Sequence, residues 1–171
     1  MSRAISVVNG GSSSIKFSLF SSDGSGDLTL LFRGQVDGIG VAPTFVVKSA
    51  DGGLLEKQAF ANTPEFNHKS LMSHIIDWIR TYRQEHHLDL LGVGHRVVHG
   101  GSVYNRPVLV DESVLETLDK LIPLAPLHQP HNIGPIRTVA KLHPDLPQVA
   151  CFDTAFHATN PRYARLFALP R

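Results

Sequence analysis

Ala4-Ile5-Ser6-Val7-Val8-Asn9-Gly10-Gly11-Ser12-Ser13-Ser14-Ile15-Lys16-Phe17-Ser18-Leu19-Phe20 opens the chain with two apolar runs around a glycine pair. Ala4 to Val8 is short, apolar and β-branched, as a buried strand is. Gly10-Gly11 breaks the run, and this dipeptide predicts a tight hairpin turn with positive φ. Beyond it Ile15, Phe17 and Leu19 alternate with Ser14, Lys16 and Ser18, the period of two of a second, antiparallel strand. Ser12, Ser14 and Lys16 therefore sit in and just after a glycine turn. Backbone N–H groups, hydroxyls and an ammonium there suit a phosphate, because each offers an oxyanion a donor or a positive charge. A P-loop is excluded, since Lys16 leads into a strand pattern and not a helix. A polar hairpin tip of ordinary turn residues is the alternative left open.

Outward from this hairpin, Ser21 to Gly26 reads as a turn. Leu28–Phe32, Thr44–Lys48 and Leu54–Phe60 read as three more strands, separated by Gly, Pro and Asp clusters. Near Asn67 the period changes. Leu71, Ile75, Ile79 and Tyr82 follow helical spacing, with Asn67 as N-cap and an end near His86-His87. Leu91–His99 returns to strand. Asp111 caps a second helix that turns Val114, Leu115, Leu118 and Ile122 inward, and Asn132–Leu142 forms a third, stopped by Pro144. Gln148–Phe152 is a last apolar strand, running into Asp153. Strands first, then helix and strand in alternation, predict an α/β fold: a mixed sheet with helices packed on its faces.

The 171 residues carry 42% hydrophobic side chains, and 16 basic residues face 15 acidic ones. That balance gives no reason to expect nucleic acid or an anionic membrane as partner. Cys151 is the single cysteine, so an internal disulfide is excluded and a reducing, cytoplasmic setting is expected. No apolar run approaches the roughly 20 residues of a membrane span, and the N-terminus lacks a signal-peptide pattern.

Three further stretches carry chemistry. In Gly94-His95-Arg96-Val97-Val98-His99-Gly100-Gly101, strand alternation puts Arg96 and Val98 on one face and His95, Val97 and His99 on the other. A guanidinium beside a small apolar side chain can fork onto a short carboxylic acid while the valine meets its alkyl end. A surface arginine is the alternative. His95 and His99 lack a third ligand nearby, so they are not read as a metal pair. In Leu124-Ala125-Pro126-Leu127-His128-Gln129-Pro130-His131-Asn132, prolines bracket Leu127-His128 in a loop of fixed shape. His128 is either a reacting group or a structural histidine. In Cys151-Phe152-Asp153-Thr154-Ala155-Phe156-His157, a carboxylate ends a buried strand and needs a cation or a polar cleft. Asp153 either helps hold Mg²⁺, polarises an acceptor group, or caps the following turn.

Taken in order, Asn-Gly-Gly-Ser-Ser-Ser-Ile-Lys-Phe, Gly-His-Arg-Val-Val-His-Gly-Gly, Ala-Pro-Leu-His-Gln-Pro and Phe-Asp-Thr-Ala-Phe-His resemble the acetate kinase family from Ala4 to Arg171. Gly10 stands where that family usually has alanine, and Gln129 where it commonly has asparagine. The resemblance implies a domain of the actin-like ATPase and sugar-kinase (RNase H-like) superfamily, and reversible phosphoryl transfer from ATP to acetate, with Mg²⁺ (or Mn²⁺) as cofactor. It implies Arg96 as the carboxylate ligand and Val98 and Leu127 as lining of the acyl pocket. His128 would lie near the reacting groups, and Asn9, Ser12, Ser14 and Lys16 would face the phosphates. Asp153 and Asn9 would serve the metal, with Asp153 an active-site residue. Propionate or butyrate kinase, and a catalytically inert truncated domain, are the alternatives. Family members are about twice as long or more. The resemblance therefore implies an N-terminal fragment of a homodimeric parent. Residues 1–150 would form an acyl-kinase domain lacking its closing helix, and residues 151–171 would begin a nucleotide-binding domain. The terminal Arg171 is also what a trypsin-like protease leaves.

Overall fold

The computed structural model describes residues 2–165. Met1 and residues 166–171, which hold the expected end at Ala168-Leu169-Pro170-Arg171 and part of the expected second domain, lie outside the described residues. The five N-terminal strands form an antiparallel meander: β1 (Ser2–Gly10), β2 (Ser14–Ser22), β3 (Leu28–Asp37), β4 (Thr44–Ser49) and β5 (Leu54–Ala59). After helix α1 (His68–Glu85) the chain returns as β6 (Leu88–Val97), parallel to β1. The two-residue β7 (Val108–Leu109), α2 (Glu112–Lys120) and α3 (Gln129–Leu142) lead to β8 (Gln148–Phe152), parallel to β6. The result is one eight-stranded mixed sheet in the order β5-β4-β3-β2-β1-β6-β8-β7. β8 runs through the expected boundary at 150/151, so Cys151 and Phe152 belong to this sheet.

Period two sorts the sheet into a core face and an open face. Ile15, Phe17 and Leu19 of β2 are buried, as are Ala4, Ser6 and Val8 of β1, Val93, His95 and Val97 of β6, and Ala150 and Phe152 of β8. The three α-helices of the described residues lie on that face. α1 covers the meander through Leu71, Met72, Ile75 and Ile79, around the rings of Phe17, Phe32, Phe45 and Trp78. α2 and α3 cover β6 and β8 through Val114, Leu115, Leu118, Ile133 and Ile136. Asn67 caps α1 as expected: its side chain accepts from the N–H groups of Lys69 and Ser70, and Ser70 Oγ accepts in return from the Asn67 N–H. Asp111 caps α2 through the Val114 N–H (2.8 Å). No helix among the described residues is long and apolar enough to cross a membrane.

Several local expectations change. Gly10 and Gly11 do not have positive φ. Gly10 is small for another reason: an ideal Cβ there would stand 2.3 Å from the carbonyl oxygen of His131, in the first turn of α3. β6 begins and ends earlier than Leu91–His99, so Val98 follows the strand and the alternation that paired it with Arg96 does not reach it. α3 begins at Gln129, placing Pro130 inside its first turn, where a missing N–H costs nothing. Leu127-His128 is therefore the turn that leads into a helix, with Pro126 before it and Pro130 already helical. Ile122 belongs to a short 3₁₀ turn after α2 and not to the helix itself.

Candidate functional site

In an open α/β sheet, ligand-facing groups collect at the carboxyl ends of parallel strands. Here β1, β6 and β8 end together, and each delivers a polar side chain: Asn9, Arg96 and, one residue past β8, Asp153. They are joined. Arg96 Nε donates to Asp153 Oδ1 (2.9 Å) and Arg96 Nη2 to Asp153 Oδ2 (2.5 Å), a side-on fork, while Nη1 donates to Asn9 Oδ1 (3.2 Å). The two charged side chains keep 48% and 42% of their surface exposed. Asp153 is thus neither desolvated nor solitary: its cation is Arg96. A guanidinium has five N–H groups; with three engaged here, one remains on each terminal nitrogen for an outside anion.

Lys16 lies directly opposite Asn9 in the β1–β2 ladder, so Lys16, Asn9 and Arg96 run across three adjacent strands on the helix-free face. Lys16 has no carboxylate within ion-pair distance among the described residues, and it borders a hollow of about 410 Å³ shared with Ser18, Arg33 and Lys48. Ser12 and Ser14 flank the tip of the hairpin, closed by Gly11 N–H to Ser14 O (2.7 Å).

Val98 is half-buried, and its backbone N–H donates to Asn132 Oδ1 (2.9 Å). Leu127 is 74% exposed. His128 is exposed at the N-cap position of α3 without a side-chain capping bond. No hydrogen bond ties Leu127 or His128 to the Arg96–Asp153 pair among the described residues. His128 lies close enough to His131 to depress its pKa, after burial and His68, which contribute more.

Two residues that sequence reasoning passed over organise this region. Gln129 and Asn132, both buried on the first turn of α3, reach across to the strand ends: Gln129 Nε2 donates to His99 O (3.3 Å) after β6, and Asn132 Nδ2 donates to Gly10 O (2.6 Å) at the end of β1. The available signal was their spacing, since 129 and 132 fall on the face that Ile133, Ile136 and Val139 bury. His95, on the core side of β6, hydrogen-bonds Gln148 (2.8 Å), and burial pushes its pKa down to about 4. It is a neutral core residue. Among the described residues no group of three or more His, Cys, Asp or Glu is placed to hold a metal ion. Asp153 and Asn9 offer a carboxylate and an amide oxygen, hard donors of the kind Mg²⁺ keeps beside water and phosphate.

Known proteins resemble this arrangement over nearly the whole chain. An acetate kinase of Nitrobacter hamburgensis is 46% identical over 167 residues, covering 98% of this chain and 41% of its own length. An acetate kinase of Rhizobium meliloti is 46% identical over 168 residues, covering 98% of this chain and 42% of its own. Among solved structures, a propionate kinase from Francisella tularensis superposes with a TM-score of 0.79 at 34% identity, over 98% of this chain and 41% of that one. Porphyromonas gingivalis acetate kinase gives 0.77 at 30%, over 99% and 42%. The chain therefore spans about two fifths of the length of the relatives it matches, and its sheet is of the actin-like ATPase type. With the Acetokinase family model matching residues 4–171, the chain belongs to the acetokinase family.

Proposed function

We propose that this chain carries the acyl- and phosphate-facing part of an enzyme that moves the γ-phosphoryl group of ATP reversibly to acetate, giving ADP and acetyl phosphate. The observation that carries the reading is the convergence of Asn9, Arg96 and Asp153 at the ends of three parallel strands, beside a Gly-Ser turn and Lys16. Acetate is already ionised near neutral pH, so the reaction needs no general base. A carboxylate oxygen attacks the γ-phosphorus; a new O–P bond forms, the bond to the β–γ bridging oxygen breaks, and its electron pair leaves with ADP. Such a transfer depends on positioning and charge neutralisation more than on covalent chemistry. Arg96 holds and orients the carboxylate through its unengaged N–H groups, with Asp153 fixing the plane of the guanidinium. Val98 and Leu127 line the methyl site, His128 donates near the transferring group, and Asn9, Ser12, Ser14 and Lys16 face the phosphates. Asp153 and Asn9 would hold Mg²⁺ or Mn²⁺, which when bound neutralises charge on the phosphoryl oxygens. In this reading the sheet, through Phe152 at the end of β8, belongs to the acyl-kinase domain, and the chain beyond β8 leads to a nucleotide-binding domain. The working protein is a cytoplasmic homodimer.

The test is ATP-dependent trapping of acetyl phosphate as hydroxamate, run on the protein translated from the complete reading frame. Turnover with acetate supports the reading, and none with any short acid overturns it. Residues 1–171 alone are expected to give no turnover, since the chain spans about two fifths of the length of the relatives it matches and the adenosine site is expected outside it. The Francisella tularensis neighbour favours propionate as a second reading. A panel of acetate, propionate and butyrate separates the two.

A further inference from the structure

The turn after β1 has a backbone polarity that the protein enforces from outside the hairpin. Of the carbonyls of residues 10 to 14, four have partners: Gly10 O accepts from Asn132 Nδ2 (2.6 Å), Gly11 O from His68 Nε2 (2.9 Å), Ser13 O from Ile39 N (3.0 Å) and Ser14 O from Gly11 N (2.7 Å). The N–H groups of Ser12 and Ser13 donate to no acceptor among the described residues. Two of the four contacts come from side chains on different helices, His68 at the start of α1 and Asn132 in the first turn of α3, at sequence separations of 57 and 122 residues. The bond from His68 is not needed for the cap of its own helix, since Asn67 supplies that of α1.

The consequence follows from the planarity of the peptide. In a trans peptide the C=O and the following N–H point in opposite directions. Holding Gly11 O toward His68 therefore turns the Ser12 N–H away from α1, outward. Released, that peptide plane could rotate and present a carbonyl dipole where an anion should meet a donor. Asn132 holds the preceding plane and, through Oδ1, the Val98 N–H (2.9 Å), so the same amide ties the turn to the segment after β6. The His68 ring also leans on the His131 ring (centroids 4.6 Å apart), which limits its rotation.

We propose that His68 is a positioning residue: it locks the Gly11–Ser12 peptide with its N–H outward and so sets the turn to receive a phosphate. This rests on the reading above that the turn faces the phosphates of ATP. His68 touches no reacting atom in this scheme; it acts through the backbone it holds.

The experiment uses the 15N-labelled 171-residue chain, wild type, His68→Phe and His68→Gln. Phenylalanine keeps a ring against His131 and has no donor; glutamine keeps a donor at similar reach. Two readouts are taken, the order parameters of residues 11 to 14 without ligand, and a titration with inorganic pyrophosphate followed at the Ser12 and Ser13 amides. Wild type should show an ordered turn and a pyrophosphate-dependent shift at Ser12. His68→Phe should lower the order of the turn and weaken pyrophosphate about three- to tenfold, the worth of one hydrogen bond; His68→Gln should recover both. Unchanged order and affinity in His68→Phe overturn the proposal. So does a His68→Gln variant as impaired as His68→Phe, since ring packing and not the donor would then matter. If wild type shows no Ser12 shift, the phosphate reading of the turn fails. The order parameters then still decide the peptide lock: a turn equally ordered in wild type and His68→Phe refutes it, and a loosened one rescued by glutamine supports it.

Discussion

Adding one methyl group at Gly10 should destabilise this protein, although the backbone there would accept an alanine. Gly10 has no positive φ, and a glycine-to-alanine change at a compatible position normally stabilises by about 0.4–1 kcal/mol through the unfolded chain. The opposite sign is expected here because of what the methyl would meet. Its ideal position is 2.3 Å from the His131 carbonyl oxygen and 3.0 Å from Pro135 Cγ. A carbon and a carbonyl oxygen ordinarily approach no closer than about 3.3 Å, so the end of β1 and the first turn of α3 must separate by about 1 Å. Neither side yields easily, since one is a sheet strand and the other is backbone inside a helix. The displacement also pulls on the Asn132–Gly10 hydrogen bond (2.6 Å). Overpacking of this kind costs about 1–3 kcal/mol. For a chain of this size each kcal/mol lowers Tm by about 2–4 °C, so Gly10→Ala should melt about 2–12 °C below wild type. Thermal melting followed by far-ultraviolet circular dichroism, with urea titration as a second measure, makes the comparison. A Tm equal to or above wild type would refute the reasoning, because α3 could not then sit against the end of β1 as described.

Arg96→Ala should change stability by no more than about 1 kcal/mol, since an ion pair this exposed contributes little. It should lower kcat/KM for acetate about 10- to 150-fold through loss of a charge-assisted contact, with Arg96→Lys in between. Urea melts and acetate kinetics of the whole-frame protein check both halves. His95 should make the fold acid-sensitive. Its folded pKa is depressed to about 4 while the unfolded value stays near the ordinary 6.5, so below about pH 6.5 the unfolded chain binds a proton that the native state refuses. Stability should fall by about 3 kcal/mol between pH 6.5 and 4 and level off below; urea midpoints against pH should show this slope in wild type, reduced in His95→Met. His74 and His131, also depressed by burial, add slope of the same sign. Val98→Ala should raise the propionate-to-acetate ratio of kcat/KM by about tenfold or more, since one methylene is worth about 1–3 kcal/mol in an apolar pocket. A ratio that stays put moves the pocket wall to Leu127.

What could be read from the residues was what local pattern decides. The alternation of Ile15, Phe17 and Leu19, the cap at Asn67 and the apolar run Gln148–Phe152 each report a neighbourhood a few residues wide, and each stands in the structure as expected. The fork between Arg96 and Asp153 joins positions 57 residues apart, and no periodicity announces it. β7 is two residues long and exists only because β8 offers an edge, so its own sequence carries almost no strand signal. Gly10 was misread because glycine answers two needs, unusual φ and close approach, and only the packing of α3 tells which one applies. The family motifs located the polar residues; they did not reveal that Asn132 and His68 hold the turn from behind.

The same alternation that builds the core also aims the chemistry. Residues on neighbouring strands face the same side when they are paired, so Lys16 opposite Asn9, and Arg96 beside it, share a face because Ile15, Val8 and His95 share the other. Slipping β1 by one residue would bury Asn9 and expose Val8, and the apolar row forbids that far more strongly than any contact between the polar groups could. The exposed Arg96–Asp153 pair contributes too little to choose a register; the buried row chooses it, and the polar row follows. His95 shows the limit of the arrangement. It stands next to Arg96 in the chain, on the face that must be apolar, and it is kept there as a neutral ring hydrogen-bonded to Gln148. Its protonation in acid would put a charge into that buried face. Arg96, the next residue on the same strand, points to the opposite face and stays exposed, so one strand carries a buried neutral ring and a solvent-facing cation side by side.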